Sequence, residues 1–185
     1  MYGNKERSIE RAFLQIYKTK EIDAITVKEI CQMAGISRAT FYTYYTNVKC
    51  LLDEIEDRLI ADISDILKSW KYLNLKNLDT TRPLPMYLDV YDYVYEKKEV
   101  YQALFGPYGS QKFILRYNEI SNRDYLEKIL MDGIETTNAN MLSAFCAGSI
   151  IYSSNVWIKN TDKSTPGEMA IMATKTVFSI LYKRT

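Results

Sequence analysis

Histidine does not occur in this 185-residue sequence. That absence removes Ser-His-Asp and Cys-His nucleophilic catalysis and the commonest zinc ligand together. Cysteine is scarce: Cys31, Cys50 and Cys146 are the only three, with no paired spacing. An odd, scattered set excludes a disulfide framework and fits a reducing, cytoplasmic setting. Cys31 and Cys146 fall in apolar helical patterns and read as small core residues, leaving Cys50 as the candidate for a thiol switch. The seven glycines form neither a Walker loop nor a GxGxxG turn. No secretory leader and no 18-residue apolar run is found, so a soluble, unexported chain without a membrane span is expected. No catalytic residue, metal ligand set or cofactor is expected, and an enzyme is not expected.

What is present is long enough to bury a core in one or two small domains. Net charge is +1, unevenly spread: residues 1–50 carry eight Lys and Arg against five Asp and Glu, leaving sixteen against eighteen for residues 51–185. A slightly basic head on a slightly acidic body has the sign expected of a head that touches nucleic acid, although the asymmetry is small. The sixteen tyrosines read as amphipathic core edges.

The most informative stretch is 26–49, TVKEICQMAGISRATFYTYYTNVK. Thr26 and Glu29 form the T-x-x-E capping box of a helix start. Val27, Ile30, Cys31 and Ala34 follow at i, i+3, i+4 and i+7, one apolar stripe. Gly35 suits a left-handed turn, with Ile36 as an apolar plug beneath it. Ser37 caps a second helix and Asn47 a third. Two short helices around a glycine turn make a helix-turn-helix. With Phe41 set inward, Tyr45 follows it, while Ala39 and Thr43 point away from the core. Arg38 and Tyr42 flank that outward line on one side, Thr40 and Tyr44 on the other. The outward surface is small, hydroxyl-bearing or cationic, as a major groove requires. Lys49, in the first turn of the next helix, can share a phosphate with free backbone N–H groups.

The run G-x-S-x-x-T-F-Y-x-Y-Y-x-N-x-K-x-x-L, Gly35 through Leu52, resembles the DNA-binding domain of the TetR family of bacterial transcriptional regulators, and the likeness spans about residues 5–55. Tyr44 stands where the family usually has His, and Tyr45 where it usually has Phe. The resemblance implies an all-α homodimer with a DNA-binding domain over 1–50 and a helical ligand-binding and dimerisation domain over 51–185. Its candidate DNA contacts are Thr26, Ser37, Arg38, Ala39, Thr40, Tyr42, Thr43, Tyr44 and Lys49.

In chain order, residues 1–7 read as a frayed polar lead whose Lys5 and Arg7 could reach a phosphate, and 8–19 as a bracing first helix. From Asn47 a long helix continues to about Trp70, the expected sole link between the domains. A polar loop over 73–85 precedes a helix over 84–98 and a short one over 99–105, ended by Gly106 and Pro107. Between 111 and 131 the polar run 121–124 leaves open two helices or one kinked helix. Thr137 or Asn138 opens a mostly apolar helix to about Lys159. Thr165, Pro166 and Glu168 then start the last one with a second capping box.

The resemblance places a small molecule among the helices of the second domain, where the candidate lining is Trp70, Tyr87, Tyr91, Tyr95, Phe105, Phe113, Tyr117 and Tyr152. Such a lining favours an aromatic or moderately apolar effector. The two last helices carry more apolar surface than one chain of this size needs, and Phe145, Ser149, Val156, Trp157, Met169, Met172, Thr176 and Ile180 are the candidate dimer contacts. The expected partners are a double-stranded DNA operator, a second copy and an effector. Two alternatives stay open: a regulator answering to a protein partner, and an enzyme or carrier that kept the helix-turn-helix.

Overall fold

The computed structural model describes residues 2–73 and 79–182. Every regular element among them is helical. Part of the expected 73–85 loop, residues 74–78, lies outside the described residues.

The first helix, α1 (Tyr2–Tyr17), begins six residues earlier than expected. Its lead contains Lys5, Glu6 and Arg7, good helix formers with nothing to end the helix, and Ser8 Oγ donates to the Asn4 carbonyl at 2.9 Å. Ile9, Phe13, Ile16 and Tyr17 are its buried stripe. A short 3-10 turn, Ile22–Ala24, leads to α2 (Val27–Ala34), whose capping box is present in both directions. Gly35 closes α2 at φ 65°, ψ 36°, where a β-carbon is disfavoured. The next helix, α3 (Arg38–Tyr42), is capped by Ser37 and followed by α4 (Val48–Lys68), whose first turn is held by Cys50 N–H donating to Asn47 Oδ1 at 2.8 Å.

After the loop come α5 (Pro85–Glu96), α6 (Lys98–Leu104), α7 (Gln111–Met131), α8 (Ala139–Ile158) and α9 (Pro166–Leu181). The helix α7 runs unbroken through 121–124. Tertiary packing overrides the weak local propensity of that polar run: Ser121 is buried, and Asn122 Oδ1 accepts from Ser143 Oγ of α8 at 2.6 Å. Asn138 caps α8, and Thr165 and Glu168 form the box that starts α9.

Packing divides the chain into two compact units, Met1–Leu59 with Glu99–Phe113, and Ile60–Lys98 with Ile114–Thr185. The chain therefore passes between them three times, inside α4, after Lys98 and inside α7, and α4 is not the only link. In the first unit, Arg58 pairs with Glu10 at 2.8 Å and Lys112 with Asp53 at 2.5 Å. Tyr101, Phe105 and Phe113 form a ring cluster with centroids 5.8–6.0 Å apart. In the second unit α5 lies on α9, where buried Thr174 Oγ1 accepts from Leu84 N–H at 2.8 Å. Buried Lys128 donates to the Leu73 carbonyl at 2.6 Å and to Asp132 at 2.9 Å, which satisfies its charge and ties α7 to the chain just past α4.

Candidate nucleic-acid interface

The helix-turn-helix is built on two buried rings. Phe41 is fully buried and Tyr45 almost so, and removing a ring such as Phe41 costs about 3–5 kcal/mol. Tyr45 OH reaches Glu10 of α1 at 3.4 Å, and burial raises its pKa well above the ordinary phenol value. These anchors fix the rotation of α3. Ser37, Arg38, Ala39, Tyr42 and Thr43 are consequently exposed, with Thr40 and Tyr44 half-buried at the edges. The exposed line has no aliphatic residue larger than alanine.

Hydrogen bonds already present decide which of these groups can still donate. Thr43 Oγ1 donates to the Thr40 carbonyl at 2.6 Å, and Ser37 and Thr40 share one bond at 3.0 Å. Thr26 Oγ1 donates to Glu29 Oε2 at 2.8 Å, so its proton is committed to the capping box. Glu29 also takes Lys20 Nζ at 2.6 Å; the Lys20 bond, and then the Thr26 bonds, lower its pKa to about 2. Arg38 has no ion pair among the described residues, which makes its guanidinium and the Tyr42 phenol the strong donors of the outward face. Lys49 is exposed, and its ammonium is bonded to Asp23 Oδ1 at 2.6 Å. Nothing in the sequence pattern singles out Lys20 or Asp23. Their roles arise from a loop folding back on α2 and α4, for which no periodicity exists.

The second unit holds an interior cavity lined by Leu67, by Met86, Tyr87 and Val90 of α5, by Tyr117, Ser121 and Tyr125 of α7, and by Ala147, Ile150 and Ile151 of α8. Its free space is about 10 Å³, room for about one water molecule. Of the expected lining, Tyr87 and Tyr117 face it, Trp70 packs on Tyr87 and Tyr125 behind it, and Tyr91 is buried against Trp157. The remaining four are elsewhere. Phe105 and Phe113 belong to the ring cluster of the first unit, because the chain enters that unit after Lys98 and leaves it only after Phe113. Tyr95 is 42% exposed and Tyr152 70% exposed. Tyr125, not among the expected lining, follows Tyr117 and Ser121 at helical spacing once α7 is one helix.

The helix α8 has no Asp, Glu, Lys or Arg and is long enough to cross a bilayer, although serines and asparagines interrupt its apolar run. In the described structure 44% of it is buried. Ser143, Ala147, Ile150 and Ser154 turn inward, whereas Met141, Phe145, Tyr152 and Val156 form a second, exposed apolar line. Ser149 and Ile180 are half-exposed, Met172 and Thr176 exposed. Trp157 and Met169, expected on the dimer face, are instead buried in their own chain, the indole donating to the Ser164 carbonyl at 2.8 Å.

Residues 81–179 match the family model described as the transcriptional regulator C-terminal region of TetR proteins. This chain belongs to the TetR family. Solved structures of similar fold include the fatty acid degradation regulator FadR from Bacillus halodurans, with TM-score 0.67, 13% identity, and coverage of 96% of this chain and 95% of that one. Thermus thermophilus FadR, a TetR-family transcriptional repressor in complex with lauroyl-CoA, matches with TM-score 0.57 and 14% identity over 97% and 96% of the two chains. The dihydroxyacetone kinase operon activator DhaS matches with TM-score 0.55 and 17% identity over 97% and 98%. No curated protein matches this TetR-family chain by sequence.

Proposed function

We propose that this TetR-family chain is a homodimeric repressor that places α3 of each copy in successive major grooves of a palindromic operator and is released by a small-molecule effector. The observation that carries this reading is the outward face of α3: Arg38 and Tyr42 stand exposed beside Ala39 while Phe41 and Tyr45 lock the helix from beneath. Such a surface has phosphate and base-edge donors and nothing large enough to hold it out of a groove. In this reading residues 1–50 are the DNA-binding head and 51–185 the effector and dimerisation body. The exposed α8 line supplies the dimer surface, since four large apolar side chains on one helix face are costly to leave in water. The recognition helices must then sit about 34–36 Å apart. Selection of bound sequences from random duplex DNA tests the proposal; recovery of a two-fold symmetric site is expected, and no enrichment over input would end it.

A second reading has one observation in its favour. The interior space holds about one water, whereas small-molecule sites span about 300–1,000 Å³. A regulator answering to a protein partner needs no such space. Repeating the selection with low-molecular-weight and protein fractions of cell extract separates the two readings.

A further inference from the structure

The interior site also specifies the chemistry of what can enter it, an argument that rests on the effector reading above. None of the ten lining residues is charged, and every polar side chain among them is a hydroxyl: Tyr87, Tyr117, Tyr125 and Ser121. Tyr87 and Tyr125 hydroxyls are bonded to each other at 2.6 Å, both deeply buried. Two phenols have two protons, and their mutual bond uses one. The phenol that accepts keeps an O–H of its own, and no second partner for either hydroxyl is found among the described residues. A buried donor without an acceptor is costly, and both tyrosines line the free space.

We infer that the effector of this chain is a small uncharged molecule, aromatic or comparably apolar, whose carbonyl, ether or hydroxyl oxygen accepts the spare proton of the Tyr87–Tyr125 pair. An anion is refused, because a carboxylate or phosphate in this uncharged enclosure loses its hydration for a single hydrogen bond. The present opening admits about one water, so entry displaces the movable wall: Met86, an unbranched thioether side chain, swings most easily, and Ser121 and Ala147 leave room on the α7 and α8 sides. The same displacement reaches α4. Leu67 lines the space, and the Trp70 ring stands edge-on to Tyr125 with centroids 5.0 Å apart. An occupant bonded to the tyrosine pair is therefore registered at the end of the helix that continues to the helix-turn-helix.

The test uses three probes of similar size, acetophenone as neutral acceptor, ethylbenzene without an acceptor and benzoate as anion, titrated into the full-length chain. The readout is the indole N–H resonance of Trp70. Trp157, the only other tryptophan, is bonded to the Ser164 carbonyl and serves as internal reference. Acetophenone is expected to shift the Trp70 signal saturably and at least tenfold more tightly than ethylbenzene, with no shift from benzoate up to its solubility. In the double variant Tyr87→Phe, Tyr125→Phe the ratio of acetophenone to ethylbenzene affinity should fall to about one. Removing both partners of a buried bond is close to neutral for folding, and a thermal melt checks it; if the variant does not fold, the wild-type series alone decides. Equal affinities of the two neutral probes, binding of benzoate, no response of Trp70 to any probe, or a folded double variant with unchanged preference overturns the inference. The operator selection on the same preparation is read separately: DNA binding without a Trp70 response leaves the regulator standing and removes only this effector class.

Discussion

Lys49 and Asp23 meet at 2.6 Å, on ground where both side chains are largely exposed. The bond raises the lysine pKa, so the ammonium stays charged, but its charge is shared with a carboxylate. Exposed pairs of this kind are weak, and a phosphate can displace the aspartate. With Lys49 on a phosphate, as proposed, Asp23 sets a small electrostatic cost on every DNA sequence alike.

Asp23→Asn is expected to tighten binding to specific and scrambled duplexes by the same factor. Lys49→Ala should weaken both alike and lower the salt slope by about one unit per half-site. Titrations of both duplexes over a salt series measure this. A change of base preference in either variant would show that Lys49 reads sequence.

Arg38→Ala should behave differently. The guanidinium sits on the first residue of α3 and has no ion pair among the described residues. Removing its bonds to a guanine edge therefore costs about 1–3 kcal/mol and relaxes preference at one position per half-site. Selected-site libraries for wild type and variant give the comparison. An unchanged preference profile would reduce Arg38 to a phosphate-binding role.

Acid should loosen the start of α2. The Glu29 pKa, ordinarily 4.5, is lowered to about 2 by Lys20 and the Thr26 cap. A lowered folded-state pKa means that its contribution is present above about 4.5 and is lost as pH falls from there toward about 2. Glu29→Gln should remove that share of the acid sensitivity while keeping a side chain able to cap. Urea melts at steps from about pH 5 down to about pH 2 should show a shallower decline for the variant; parallel curves would contradict the assignment.

The exposed α8 line predicts a dimer. Wild type should sediment as a dimer at micromolar concentration, and Phe145→Lys with Val156→Lys should shift it toward monomer, because two ammonium groups would be placed in an apolar interface. A monomeric wild type would leave the line without its proposed cover.

Gly109 stands closer to neighbouring backbone than the other described glycines. A β-carbon there would lie 2.0 Å from the Leu104 carbonyl oxygen. Since the clash is with backbone, Gly109→Ala should cost about 1–3 kcal/mol or more. Denaturant midpoints compare it with Gly148→Ala, where nothing lies within 4 Å.

Local chemistry made most of the helix-turn-helix legible from sequence. Its caps at Thr26, Ser37 and Asn47, its glycine turn and the inward phase of Phe41 and Tyr45 depend on residues within four positions of one another. Helix geometry converts such spacing directly into direction. The same holds for the capping box at Thr165. Tertiary structure decided what depends on distant residues. Asn122 meeting Ser143 keeps α7 whole, which brings Tyr125 into the cavity. The excursion of 99–113 into the first unit takes Phe105 and Phe113 with it, and the packing of α8 sends Trp157 inward and Tyr152 outward. An apolar ring has no local preference among core, pocket and interface, because burial lowers its free energy in all three; only the surrounding helices choose.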